Sequence, residues 1–175
     1  QEDVDLLFLA NPNNPVGNTI EDVLLDKICD RCREKKITVV IDECFLEFTR
    51  KKGFFETHSM QEYPNVIIVK AFTKLYAIPG VRLGFLFCGS QNKAGQIFNQ
   101  LPEWNISIIA EAAGRAALDE TEYCNKTISY IGKERAYLKA ELEKLGIKVY
   151  PGEADFLLLK TDDPLYEKLL KKKIL

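Results

Sequence analysis

Three residues of different chemical type, Asn14, Asp42 and Lys74, stand at or just beyond stretches that read as strand ends, and a fourth, Arg82, follows the last of them. The first is an amide inside NPNNPVG. The second is an acid closing ITVVID, and the third is a primary amine three residues beyond VIIVKA. The fourth is a guanidinium eight positions after the amine. A deprotonated lysine amine attacks an aldehyde to form a Schiff base. Desolvation and a nearby arginine both favour the neutral amine that this attack needs. An acid can keep a ring nitrogen protonated, an amide can donate to a phenolate, and a guanidinium can clamp a phosphate in a fork. The set therefore suits a phosphorylated aromatic ring that bears an aldehyde. Each residue alone has a plainer role: Asp42 capping a turn, Lys74 in solvent, Arg82 pairing with a surface carboxylate, Asn14 turning the chain between prolines.

The chemistry needs an architecture that brings strand ends together, and the pattern of elements supplies one. Leu6 to Ala10, Ile37 to Asp42, Val66 to Ala71 and Leu83 to Cys88 read as short buried strands. A helix is expected from Ile20 to about Lys35, with Val23, Leu24, Ile28 and Cys32 on its apolar stripe and a weak capping box from Thr19 and Asp22. Strand, helix and strand in this rhythm predict an α/β sheet, largely parallel and covered on both faces. In such sheets ligands sit at the carboxyl ends of strands. Asp42 is expected to be a buried acid there.

After Ser90 the pattern turns helical, over Gln91 to Gln100, Ile106 to Leu118 and Glu122 to Leu145, the last stopped by Gly146. IKVYPGEADFLLLK then predicts two short strands around a Pro-Gly turn, and Pro164 opens a final helix. A boundary near residue 120 separates a large domain, residues 1–120, from a linker helix and a small α+β domain, residues 121–175. The chain enters a strand almost at its start and stops where a further strand is expected, so it reads as part of a larger subunit.

Composition narrows the partners. Lys and Arg number 24 against 26 Asp and Glu, a formal charge of -2 that argues against a nucleic-acid partner. No stretch is apolar for long enough to span a bilayer, no signal peptide is seen, and a cytoplasmic location is expected. Cys29 and Cys32 form a C-x-x-C within the first helix, with no second pair to complete a zinc site, and read as structural thiols. Glu43 and Glu47 also read as structural. No metal site is expected.

Pyridoxal phosphate offers the aldehyde, ring nitrogen, phenolic oxygen and phosphate that these residue types suit. NPNNPVG, VVIDECFLEF and AFTKLYAIPGVRLGF, in that order, resemble the successive signatures of the fold-type I, class I/II aminotransferase family, in the branch with histidinol-phosphate aminotransferase and threonine-phosphate decarboxylase. The resemblance is close from Leu6 to about Gly89 and looser beyond. It implies a three-layer, mostly parallel sheet of the pyridoxal-phosphate transferase type, followed by part of a small α+β domain. It also implies Lys74 as the Schiff-base lysine, Asp42 at the pyridine nitrogen, Asn14 at the phenolic oxygen, Arg82 at the phosphate and Thr73 as the small hydroxyl beside the lysine. Two positions depart from the pattern. Ala71 replaces the usual Ser or Thr, and Phe45 replaces the usual tyrosine that would donate to the phenolate.

The expected function is that of a homodimeric enzyme acting on a small, phosphorylated amino acid or amine. Phe45 and YAIPG lean towards decarboxylation, with transamination as the alternative. A cofactor-binding sensor domain is the competing class, and a nucleotide-binding module is disfavoured by the lack of G-x-G-x-x-G. Tyr76, Trp104 and Asn105 are further candidates near the cofactor or the substrate entrance. The phosphate loop, the ring-stacking aromatic and the carboxylate-binding arginine of the family are expected outside this chain. The chain by itself is expected to be inactive.

Overall fold

A computed structural model describes residues 3–174. The larger sheet contains β1 (Leu6–Ala10), β2 (Thr38–Asp42), β3 (Val66–Ala71) and β4 (Gly84–Cys88), in that spatial order. β1, β2 and β3 run parallel, and β4 runs antiparallel to β3. β2 and β3 are rich in Val and Ile, whose branched side chains pack well on a pleated surface. Val39, Ile41, Val66 and Ile68 are almost fully buried, and each such side chain contributes about 1.5–3 kcal/mol of burial energy.

The element over their face is α1 (Asp22–Glu34), which lays Leu25, Cys29 and Cys32 into the core beside Phe54 and Tyr63. The stripe therefore differs from the expected one. Leu25, Ile28, Cys29 and Cys32 follow the i, i+3, i+4, i+7 spacing, whereas Val23 and Leu24 are exposed. No capping box forms either. The helix starts at Asp22 with Glu21 as its uncapped N-cap, and Thr19 donates instead to Glu153 Oε1 at 3.2 Å.

The opposite face of the sheet carries Leu6, Phe8 and Leu86, which remain exposed. Among the described residues this face is not covered as expected; α4 (Gln91–Phe98) approaches it, and Lys93 Nζ donates to Thr38 Oγ1 at 2.5 Å. Two short helices, α2 (Phe54–Thr57) and α3 (Phe72–Leu75), lie between strands.

The second half holds α5 (Ile108–Leu118) and the long α6 (Thr121–Lys144). α6 ends as expected. Gly146 takes φ +77, its N–H donates to Glu143 O at 3.0 Å, and Ile147 N–H donates to Leu142 O at 3.1 Å. That pair of bonds is a Schellman closure, which needs a left-handed residue where glycine carries no Cβ penalty. β5 (Lys148–Val149) and β6 (Leu159–Lys160) form a separate antiparallel pair, and α7 (Leu165–Lys171) follows. Residues through Ile174 form no further strand. No helix among the described residues is long and apolar enough to cross a membrane.

Candidate active site

Parallel pairing puts the carboxyl ends of β1, β2 and β3 on one edge, with Ala10, Asp42 and Val69 aligned across the strands. Neighbouring strands lie ~4.8 Å apart, so the loops that leave this edge start side by side. The loop after β1 carries Asn14, β2 ends in Asp42, and α3, directly after β3, carries Thr73 and Lys74. Arg82 arrives by another route. Because β4 runs backwards, its first residue, Gly84, lies opposite Ala71, and Phe72 N–H donates to Leu83 O at 3.1 Å. The start of β4 is thus at the same edge, and Arg82 stands two residues before it.

The loop of Asn14 is tightly folded. Gly17 N–H donates to Asn13 O at 2.6 Å, Asn13 N–H donates to Asn18 O at 2.8 Å, and both Asn-Pro bonds are cis. Asn11, which sequence reasoning passed over, is buried and ties the loop down. Its N–H donates to Asp42 O at 2.9 Å, and its Oδ1 accepts from Ile20 N–H at 2.8 Å. Asn14 itself is exposed.

Asp42 is exposed rather than buried, which corrects the expectation; the buried acid is the next residue, Glu43. The strand alternates, so consecutive side chains leave opposite faces, and Glu43 takes the covered one. Asp42 Oδ1 accepts from Cys44 N–H at 2.9 Å, a turn-capping bond that fixes the carboxylate and leaves one oxygen for a second donor. Burial first, then the hydrogen bond to Asp42 and its charge, push the Cys44 thiol up to about 12. Glu43 Oε1 accepts from Phe54 N–H at 2.8 Å, and burial holds its carboxyl above the usual range. Lys70 belongs more to Glu47, at 2.9 Å, than to Glu43, at 3.4 Å.

Lys74 is exposed between the buried Thr73 and Leu75, and its Nζ lies 5.0 Å from the centroid of the Phe45 ring. Phe45 in turn meets the edge of Phe156 at 5.2 Å. Arg82 is exposed, has φ +57, and donates from Nη1 to Pro79 O at 3.1 Å. Tyr76 stacks on Phe72 at 5.4 Å. Trp104 is 95% exposed, and Asn105 is exposed beside it.

Sequence reasoning did not find the chain segment that returns over this edge. Arg135 Nη1 donates to Glu153 O at 2.7 Å and Ala154 O at 2.6 Å, and Glu153 N–H donates to Gly17 O at 2.7 Å. Gly152 permits the approach, since a Cβ there would lie 2.7 Å from Val16 O. Asp155 follows. Packing pushes its carboxyl up, while its own backbone N–H, Lys74 and Arg135 draw it down.

The whole chain, residues 1–175, matches the family model for aminotransferases of class I and II. It is 35% identical to threonine-phosphate decarboxylase of Salmonella typhimurium, over 99% of this chain and 48% of that protein. It is 38% identical to histidinol-phosphate aminotransferase of Clostridium kluyveri, again over 99% of this chain and 48% of that protein. The solved histidinol-phosphate aminotransferase from Clostridium acetobutylicum superposes with a TM-score of 0.92 at 34% identity, over 99% of this chain and 54% of that one. The chain spans about half the length of the curated relatives it matches. With the α/β sheet, the order of its strand-end motifs and a match along its full length all in agreement, the chain belongs to the class I and II aminotransferase family.

Proposed function

We propose that this chain carries the cofactor-anchoring part of a pyridoxal-phosphate-dependent enzyme acting on a small, phosphorylated amino acid or amine. The observation that supports the reading is that β2 ends in Asp42 at the sheet edge from which the segments carrying Asn14 and Lys74 leave, and that the reversal of β4 starts that strand, just after Arg82, at the same edge. The donor set fits the group: an amine for the aldehyde, a carboxylate for the ring nitrogen, an amide for the phenolic oxygen, and a guanidinium and a hydroxyl for the phosphate side. When bound, pyridoxal phosphate supplies an amine-capturing aldehyde and a ring that stores the electron pair of a bond broken at the substrate's Cα.

Lys74 provides the anchoring amine and, once released, carries a proton at the substrate's Cα. Asp42 holds the proton on the ring nitrogen, its carboxylate steadied by Cys44 N–H. Asn14 donates to the phenolic oxygen from a loop that Asn11 fixes to the strand. Arg82 clamps the phosphate, with the Thr73 hydroxyl beside Lys74. Phe45 packs near the amine without donating, so the phenolic oxygen has one donor fewer.

Within this class we favour loss of the Cα carboxylate from a phosphorylated amino acid, as in threonine-phosphate decarboxylase. Phe45, YAIPG and the 35% identical relative support it. Amino transfer as in histidinol-phosphate aminotransferase is the second reading, supported by the superposition at a TM-score of 0.92. The full-length protein is proposed to be a cytoplasmic homodimer, with a domain division near residue 120. Incubating it with O-phosphothreonine, and separately with histidinol phosphate plus 2-oxoglutarate, tests the choice. Carbon dioxide release selects the decarboxylase and glutamate formation the aminotransferase, while neither product would turn the reading to a sensor. Borohydride reduction of the loaded protein is expected to label Lys74, and the Lys74→Ala variant to lose the label. Label on another residue would sink the proposal.

A further inference from the structure

The lysine amine of the site rests on an aromatic pair built from both halves of the chain. Lys74 Nζ lies over the ring of Phe45, 5.0 Å from its centroid, and the ring of Phe156 stands at 90° to Phe45 with the centroids 5.2 Å apart. The negative face of an aromatic ring attracts an ammonium at this distance, and a perpendicular neighbour fixes the plane of that ring. Phe156 is itself held from two sides. Its Cε2 packs against Gly17, 3.4 Å from where a Cβ would stand. The chain just before it is pinned by Arg135 Nη1 on Glu153 O and Ala154 O, and by Glu153 N–H on Gly17 O. Among the described residues Lys74 Nζ forms no ion pair or hydrogen bond, so the ring face is what answers its charge.

Resting on the pyridoxal-phosphate reading of the site, we propose that the ring of Phe45 seats the Lys74 ammonium once an incoming amine has displaced it from the cofactor, and that Phe156 is the positioning residue that sets the plane of that seat. Aliphatic amines, lysine side chains among them, are protonated near neutral pH. In the exchange the incoming nitrogen gives up a proton and bonds to the aldehyde carbon. The bond from that carbon to Lys74 breaks, its electron pair stays on Lys74, and a proton is taken up there. One ammonium enters, one ammonium is left on the protein, and no other reactant is consumed. A ring face that attracts the charged amine draws this balance towards displacement.

The test reads the exchange equilibrium on the loaded full-length protein. The protein is equilibrated with methylammonium, and borohydride then reduces whichever link is present, so the cofactor fixed on Lys74 measures the share not displaced. A trifluorinated phenylalanine at position 45 keeps the shape of the ring and weakens the negative charge of its face. It is expected to lower the equilibrium constant for displacement about threefold, the worth of a cation over an exposed ring. Phe156→Leu is expected to lower it about twofold, and Phe156→Tyr, which keeps the perpendicular ring, to leave it at the parent value. An unchanged constant in the fluorinated protein or in Phe156→Leu, or a fall in Phe156→Tyr as large as in Phe156→Leu, overturns the inference while the proposed function stands. Failure of the parent protein to capture the cofactor at Lys74 overturns both.

Discussion

Phe45 is one of the two positions at which the sequence departs from the family pattern it resembles, and its place beside Lys74 gives that departure a physical meaning. Its ring lies 5.0 Å from the Lys74 amine, where a tyrosine would bring a hydroxyl to the same surroundings. A donor to the phenolic oxygen stabilises the deprotonated link between lysine and cofactor. The Phe45→Tyr variant is therefore expected to show a lower pH midpoint in the absorbance of that link, and an unchanged midpoint would remove Phe45 from the account. Cys44 makes a second prediction at this scale. Its thiol is raised to about 12 in the fold, so the unfolded chain, with a thiol pKa of about 8.5, ionises first as pH rises. The contribution to stability is full below that value and is lost progressively towards pH 12. Urea midpoints of the parent should fall across this window more steeply than those of Cys44→Ala, and parallel curves would contradict the linkage. Which of the two adjacent acids is buried was not visible from residue types. Asp42 was expected inside, and Glu43 was read as structural without its burial being foreseen, because which face of β2 is covered depends on packing from Phe54 and its neighbours.

Among the elements, strands and helices were readable wherever the signal is local. VIIVKA forms β3 as expected, and Gly146 closes α6 with the two bonds its conformational freedom allows. The stripe of α1 was misplaced because Val23 and Leu24 are as apolar as Leu25 and Cys29; only the direction of the sheet separates them. The return of the segment around Gly152 onto the loop around Gly17 was invisible for a different reason. Thr19 and Glu153 lie 134 positions apart, and no local pattern reports such a pairing. The approach depends on Gly152, where a methyl group would meet Val16 O at 2.7 Å. Gly152→Ala is expected to cost about 1–3 kcal/mol and to expose Glu153 N–H to hydrogen exchange. An unchanged urea midpoint with full protection would show that the contact does not hold the segment.

For the whole molecule, the exposed apolar residues set the behaviour of the 175-residue chain. Leu6 and Phe8 on the sheet, with Trp104, Ile108 and Ile109 near the start of α5, present more unpartnered apolar surface than scattered single residues account for. Expressed alone, the chain is expected to bind a hydrophobic dye, to elute above its 20.0 kDa mass and to hold no cofactor. A compact monomer without dye binding would contradict this. One contact described above also reaches beyond its own neighbourhood. Glu153 N–H is fastened to Gly17 O, and the Glu153 side chain is joined by Thr19 and Lys51. Gly17 closes the same short loop that presents Asn14. Any swing of the later half must tug on that amide. A ligand held through Asn14 would then be coupled to any movement of the Glu153 segment, and by reciprocity each would bias the other.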